Sequence, residues 1–285
     1  MINKQIELIE CPRDAIQGLS GVISTDKKIA YINTLIESAL FTCIDFGSFV
    51  SPKAVPQMQD SALVLEGLVK SNDTKLLAII ANERGAEAAL SFHKLDFLGF
   101  PFSISETFQL RNANATIAHS FRRVQYIADM LARQSQELVI YISMAFGNPY
   151  GDHWDSDVVL EWVEKLAALG VKRFSIADTT SMAVPKQIHT LFKLLLAEFP
   201  ELEFSAHFHS RAEDALSKIT AAHDAGCQRF EGALLGFGGC PFAQDDLVGN
   251  VPTELLLDYF KGIKSKEIHK LLEGFQELIR VENEI

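Results

Sequence analysis

The sharpest chemical signal in the sequence is a pair of histidines, His207 and His209, in the apolar segment 203–209. Side chains two residues apart on a strand point the same way, so both imidazoles share one face, with Ser205 below them. Two imidazoles on one face can share a metal ion, whereas a lone histidine is more often a satisfied core residue. The spacing therefore favours a metal site at the end of this segment.

Three carboxylates interrupt or end other strand-like segments, where an apolar core would reject a charge. They are Asp14, Asp45 and Asp178. Cys240 is a further candidate, because it follows two glycines and precedes a proline in a loop that can approach a ligand closely. Its thiol can act as a general acid or simply as a small hydrophobic side chain, and both interpretations stay open.

Eight short apolar, β-branched or aromatic segments alternate with eight segments of helical periodicity. The predicted strands are 6–11, 41–47, 75–81, 96–102, 138–146, 173–178, 203–209 and 229–235. The predicted helices are 27–39, 61–69, 85–90, 117–133, 155–169, 185–198, 212–225 and 254–263. This alternation implies parallel pairing, because a parallel connection needs a crossover.

Eight such units in 285 residues predict an α/β fold, a closed (β/α)₈ TIM barrel over residues 4–263 with an additional C-terminal helix at 266–282. We expect one catalytic domain over residues 1–285. A doubly wound open sheet is the alternative. The segment 12–17 after the first strand lacks the glycine fingerprint that such sheets normally carry there.

The barrel brings the candidate residues to one end, since active sites in this fold form at the carboxyl ends of the strands. Strand eight neighbours strands seven and one, so Asp14 and Asn250 are the nearest candidates to join the two histidines. Such oxygen and nitrogen ligands suit Mg²⁺ or Mn²⁺, and suit Zn²⁺ less because no thiolate is at hand. A salt bridge to Arg13 could instead explain Asp14, and a turn after Gly249 could explain Asn250.

The composition limits the classes of molecule that the protein is expected to bind. The net charge is −11 and the chain has no run of Lys or Arg, which argues against nucleic acid and anionic membranes as partners. No apolar stretch reaches the ~20 residues that span a bilayer. The four cysteines show no metal-clip spacing, and the first strand leaves no room for a signal peptide, so we expect free thiols and a cytoplasmic location.

Sequence motifs in a fixed order resemble those of the 3-hydroxy-3-methylglutaryl-CoA (HMG-CoA) lyases, in the metal-dependent lyase and Claisen-condensing barrel superfamily. The motifs are PRDAIQ at 12–17, SFVSPK at 48–53, VPQM at 55–58, SExFxxxNxN at 105–114, HxH at 207–209 and GGCP at 238–241. The resemblance spans nearly the whole chain, and SFVSPK together with GGCP is its specific part.

The resemblance implies roles for the matching residues. The implied ligands of the divalent cation are Asp14, His207, His209 and Asn250. The implied catalytic residues are Arg13, Asp45, Asp178, His207 and Cys240. Arg13 would stabilise the enolate oxygen of the departing acetyl-CoA and Cys240 would protonate that enolate. Asp178 would help to deprotonate the C3 hydroxyl, and Asp45 would be an acid near the metal.

The implied reaction is cleavage of HMG-CoA to acetyl-CoA and acetoacetate by a homodimer or larger homo-oligomer. The departures from the family pattern are Ala15 for glycine, Asp45 for glutamate, Asn148 for cysteine, Ser210 for aspartate, and one extra residue between Cys240 and Asn250. They leave open a related lyase or aldolase that acts on another 3-hydroxyacyl-CoA or a hydroxy acid. A catalytically inactive homologue that acts as a binding protein is the second alternative.

Overall fold

Eight parallel strands close into a barrel in chain order, with β8 paired to β1, in a computed structural model that describes residues 5–239 and 248–280. The strands are β1 Glu7–Glu10, β2 Cys43–Ser48, β3 Lys75–Ile79, β4 Phe97–Ser103, β5 Glu137–Ser143, β6 Arg173–Asp178, β7 Glu203–Phe208 and β8 Arg229–Gly232. This arrangement confirms the predicted (β/α)₈ barrel.

Most of the helices pack around the outside of the barrel, and two short ones lie at its carboxyl end. The helices are α1 Pro12–Ile16, α2 Thr25–Ser38, α3 Ser61–Gly67, α4 Glu83–Leu90, α5 Glu106–Ala113, α6 Ile117–Leu131, α7 Ser156–Ala167, α8 Pro185–Glu198, α9 Ala212–Asp224, α10 Thr253–Lys261 and α11 His269–Ile279. The described residues also form three 3₁₀ turns, at Pro56–Met58, Leu234–Gly236 and Ser265–Ile268. Within the described residues, no helix combines the length and apolarity that crossing a bilayer requires.

Two strands end three residues earlier than the sequence pattern predicts. β5 stops at Ser143 and β8 at Gly232, although both apolar runs continue for three residues. Met144 and Leu235 take φ values of 62° and 60°, in the left-handed region that ends an extended strand. Both segments stay beside the neighbouring strand ends, where Ala145 N donates to the carbonyl of Ala177 and Ala233 N donates to that of Val251.

The predicted C-terminal helix is shorter than 266–282. A 3₁₀ turn fills its first residues, and α11 ends at Ile279. Phe275 on α11 contacts the ring of Tyr31 on α2, with the ring centroids 5.6 Å apart. This helix therefore closes the outside of the barrel next to the first α/β unit.

The barrel interior divides into an apolar part and a polar part. The inward side chains of β1 to β5 are mostly apolar. On β6, β7 and β8 the inward positions include Ser175, Ser205, His207 and Glu231, all buried. A buried polar group is stable only when it is hydrogen-bonded, so this side of the barrel is built as a network rather than as a core.

Candidate active site

The carboxyl end of the barrel gathers three side chains that could ligate one cation. Asp14, His207 and His209 are buried, and each offers an atom within 4.8 Å of the other two. The two imidazole centroids lie 5.3 Å apart. Asn250 joins them, since its Nδ2 donates to Asp14 Oδ2 over 2.6 Å. The four residues that the sequence suggested as ligands are thus neighbours.

Local backbone structure explains this convergence. Pro12 starts α1 directly after β1, because its missing N–H and fixed φ suit a first helical position. Asp14 therefore turns back over the barrel end. The chain returning from β8 pairs with the end of β7, where Val251 N donates to the carbonyl of Phe208 over 3.1 Å. That pairing sets Asn250 opposite His209.

Arg13 is held between two carboxylates. Its Nε lies 3.0 Å from Asp45 Oδ2, and its Nη1 donates to Asp14 Oδ1 over 2.9 Å. Burial raises the pKa of Asp45 to about 6 despite the guanidinium. Burial also acts on Asp14, but Arg13 and the two histidines outweigh it and lower the pKa of Asp14 to about 2. Asp14 is therefore a carboxylate at neutral pH, as a cation ligand must be.

The two histidines have opposite electrostatic surroundings. Burial opposes protonation of His207, but Glu231 at 2.9 Å from its Nδ1 raises its pKa above the ordinary value. Burial lowers the pKa of His209 to about 4. Nδ1 of His209 is buried and has no hydrogen-bond partner in the described part of the chain. A neutral imidazole with an unpaired buried nitrogen fits the chemistry of a metal ligand.

A cavity of about 540 Å³ opens above these groups. Tyr141, Ser143 and Thr179 line it from the strand ends, and Lys53 and Arg111 add positive charge from the surrounding loops and helices. Its volume is in the range of sites for small organic ligands. The lining of this cavity therefore contains both positive charge and the candidate cation ligands.

Asp178 does not reach this cavity. Its neighbours Ala177 and Thr179 line the cavity, whereas its own side chain points to the helix layer. There it forms an ion pair of 2.7 Å with Lys218 of α9 and accepts the N–H of Met182. The structure therefore corrects the expectation that Asp178 contacts the C3 hydroxyl. Side chains alternate along a strand, so Asp178 shares the outward face of β6 with Phe174 and Ile176.

Of the two remaining predicted catalytic residues, the structure describes Asp45 but not Cys240. Asp45 lies at the site but contacts Arg13 rather than the histidines, so it reaches the ligand cluster only through that guanidinium. Cys240 lies outside the described residues, and its role stays a prediction.

Glu231 is the site residue that sequence reasoning missed. It is 3% exposed, and it accepts hydrogen bonds from Ser175 Oγ at 2.6 Å and Ser205 Oγ at 2.5 Å. Burial favours its neutral form, yet His207 and the serines hold its pKa below the ordinary value. A carboxylate inside the eighth strand was a readable signal, equivalent to that of Asp45 in the second.

Comparison with known proteins identifies the family. The HMGL-like family model matches residues 6–285. The chain belongs to this family. The hydroxymethylglutaryl-CoA lyase of Bacillus subtilis is 31% identical over 272 residues, 90% of each chain. A Pseudomonas aeruginosa relative, a 3-hydroxy-3-isohexenylglutaryl-CoA/hydroxymethylglutaryl-CoA lyase, is 32% identical, covering 98% of this chain and 93% of its own.

Solved structures of the HMGL-like family share the barrel. An HMG-CoA lyase from Acinetobacter baumannii, in complex with coenzyme A and 3-methylmalate, superposes with a TM-score of 0.85 at 33% identity. The match covers 97% of this chain and 89% of that one. These comparisons confirm the resemblance stated from the motifs, and with it the expectation of a carbon–carbon lyase.

Proposed function

We propose that the protein cleaves HMG-CoA to acetyl-CoA and acetoacetate. The observation that carries the proposal is the junction of Arg13 with the cluster of Asp14, His207 and His209 at the floor of the cavity. Cleaving the C2–C3 bond requires loss of a proton at the C3 hydroxyl and stabilisation of negative charge on the departing enolate. The junction supplies groups for both requirements at one place.

The cation in this proposal is Mg²⁺ or Mn²⁺, held by Asp14, His207, His209 and Asn250. Two neutral nitrogen donors, one carboxylate and one amide suit these ions better than Zn²⁺, which favours thiolates in closed sites. When bound, a divalent cation polarises a coordinated hydroxyl and makes its proton easier to remove.

Arg13 is the electrostatic group for the enolate. Asp45 and Asp14 fix its guanidinium from two sides, so the positive charge is in place before negative charge develops on the thioester oxygen. The fixed orientation avoids reorganisation during the reaction. We propose that Asp45 acts by positioning Arg13, and that a shorter acid in place of glutamate is compatible with this function.

Two proton transfers complete the reaction. With Asp178 turned to the helix layer, the C3 hydroxyl proton would pass to water in the open cavity. His207 borders the cavity and would assist this step as a ligand of the cation, since its Nδ1 faces Glu231 and its Nε2 would be bound to the metal. We keep Cys240 as the acid that protonates the enolate, on the strength of its GGCP motif.

The substrate class is an acyl-CoA. Lys53 and Arg111 supply positive charge for phosphates in the cavity lining, and the Acinetobacter baumannii relative is described in complex with coenzyme A. A substrate with a larger group at C3 is the second candidate. It is favoured by the Pseudomonas aeruginosa relative, whose name includes an isohexenylglutaryl thioester.

Substrate competition tests this proposal. The purified protein with Mn²⁺ is given HMG-CoA and a longer 3-alkyl homologue, and acetyl-CoA and the keto acid are both quantified. We expect equal amounts of acetyl-CoA and acetoacetate, and a higher kcat/KM for HMG-CoA. Preference for the homologue would support the second candidate, and no cleavage of either thioester would contradict the proposed function.

We also propose that residues 1–285 form one catalytic domain that acts in the cytoplasm as a homodimer or larger homo-oligomer. The family match over residues 6–285 supports the first part. Light scattering of the purified protein tests the oligomeric state, where a monomer would contradict it.

A further inference from the structure

Glu231 joins three neighbouring strands inside the barrel. The cross-strand register sets Ser175 beside Ser205, and His207 beside Glu231. Ser175 and Ser205 donate to Oε1 of the carboxylate, while Oε2 lies 2.9 Å from His207 Nδ1. Both carboxylate oxygens are therefore bound, and the side chain has a fixed orientation.

This contact fixes the Nδ1 edge of the His207 imidazole. A carboxylate accepts hydrogen bonds, so the proton of a neutral His207 lies on Nδ1, and Nε2 keeps its lone pair. The same imidazole is a member of the candidate cation site, together with Asp14 and His209. A ligating histidine that donates its second N–H to a carboxylate gains basicity and a fixed ring orientation.

We propose that Glu231 is a positioning residue, which holds His207 in the tautomer and orientation needed to ligate the cation. The inference rests on the proposed function for the existence of the cation site, but it concerns a residue that does not border the cavity. The serines are part of the same device, because they prevent rotation of the carboxylate away from His207.

The alternative is a purely structural role, in which Glu231 only satisfies buried polar groups of the barrel. Glu10 provides a matched control for that role. It is another fully buried glutamate, it accepts the N–H of Leu234 over 3.0 Å, and it lies among outward-facing groups on β1. Among the described residues, its side-chain partners include Thr253 of α10 and none of the proposed ligands.

The first measurement is the Mn²⁺ dissociation constant, obtained by electron paramagnetic resonance of free Mn²⁺ without any substrate. We expect Glu231→Ala to weaken Mn²⁺ binding by about 10- to 100-fold, and Glu231→Gln to weaken it less. Glu10→Gln should leave the constant within about twofold of wild type. A structural role would lower the melting temperature of the Glu231 variants without changing their Mn²⁺ affinity.

The second measurement uses the wild-type protein and does not depend on folding of a variant. Long-range ¹⁵N–¹H spectra of histidine-labelled, metal-free protein at alkaline pH report the tautomer of each imidazole. We expect His207 to carry its proton on Nδ1. A proton on Nε2 would overturn the inference.

The outcomes separate the two proposals. If wild-type protein binds no Mn²⁺, the cation site of the proposed function fails. If wild-type protein binds Mn²⁺ and both Glu231 variants bind it equally well, the cation site stands and the role of Glu231 is overturned.

Discussion

Arg13 donates to two carboxylates at once, and its planar guanidinium makes this possible. A lysine keeps the charge but offers a compact ammonium that cannot bridge Asp45 and Asp14 in the same way. The position of the charge, more than its presence, is what the proposed enolate stabilisation requires. The chemistry of this site is therefore sensitive to substitutions that conserve charge.

We expect Arg13→Lys to lower kcat by about 10²- to 10³-fold, the usual cost of losing a preorganised donor at a developing oxyanion. Mn²⁺ affinity should change by less than about fivefold, because Asp14 and the histidines remain. Steady-state kinetics and Mn²⁺ titration check both numbers. A variant with unchanged kcat would contradict the assigned role of Arg13.

For Asp178 we expect a loss of stability and little loss of kcat, because its carboxylate is paired with Lys218 behind the site. Asp178→Asn leaves the Lys218 ammonium buried without its carboxylate, and we expect a loss of about 3–5 kcal/mol in unfolding free energy. At a temperature where the variant is folded, kcat should fall less than tenfold and keep its pH profile.

Denaturant unfolding and steady-state kinetics of Asp178→Asn distinguish a structural ion pair from a catalytic base. Loss of a general base costs about 10²- to 10⁴-fold in rate. A stable variant with a loss of that size would restore Asp178 to the catalytic set.

The sequence predicted that the four candidate ligands would be neighbours because each of them is polar against an apolar background, and their binding of a cation stays a prediction. Asp14, His207, His209 and Asn250 come together as the barrel order required. The direction of Asp178 was also readable, but only by applying strand alternation to β6, as was done for β7. Motif resemblance alone does not say which way a side chain points.

At the scale of the elements, the segment after β8 depends on Gly238. This residue has a φ of 106°, and a Cβ there would lie 2.7 Å from the carbonyl oxygen of Asp14 and 2.6 Å from Asn250 Nδ2. The segment can pass so close to the ligand cluster only because no side chain intervenes. The GGCP motif thus has a steric requirement as well as a chemical one.

Gly238→Ala should therefore displace Asp14 or Asn250 and weaken Mn²⁺ binding at least tenfold. Gly151→Ala is the matched control, since Gly151 also has a positive φ, 77°, but a Cβ there would meet no atom of the described residues within 4 Å. We expect the control to lose about 1 kcal/mol of stability and to keep its Mn²⁺ affinity. Equal Mn²⁺ affinities in the two variants would disprove the steric requirement.

The elements themselves were predictable where they are long and periodic. β6 and α8 have the bounds expected from the sequence. α1 was missed because five residues are too few to show a helical period. α5 was missed because its sequence is mostly polar, and its start depends on Ser105, whose side chain accepts the N–H of Phe108.

At the scale of the whole molecule, the two ends of the barrel carry different ion pairs. At the amino end, Arg173 and Arg229 both pair with Glu203. At the carboxyl end, Arg13 pairs with Asp14 and Asp45 at the candidate site. Glu10 lies apart from both sets, buried between β1 and α10, and burial raises its pKa from 4.5 to about 8.

Glu10 therefore couples folding to pH. Between pH 4.5 and about 8 the folded protein retains a proton on Glu10 that the unfolded chain releases. This contribution to stability falls as the pH rises, by up to about 1.4 kcal/mol per pH unit. Glu10→Gln cannot titrate, so its unfolding free energy relative to wild type should increase from pH 5 to pH 8. Denaturant unfolding of both proteins across that range checks this, and a constant difference would contradict it.

Metal-dependent cleavage at the His207 cluster is the central claim of the proposed function. The decisive measurement is acetyl-CoA release from HMG-CoA by wild-type protein with Mn²⁺ and with a chelator, alongside His207→Ala and the control His93→Ala, which changes an exposed histidine. We predict release by wild type and His93→Ala only with the metal, and none by His207→Ala. Release that persists with chelator, or in His207→Ala, would contradict the claim.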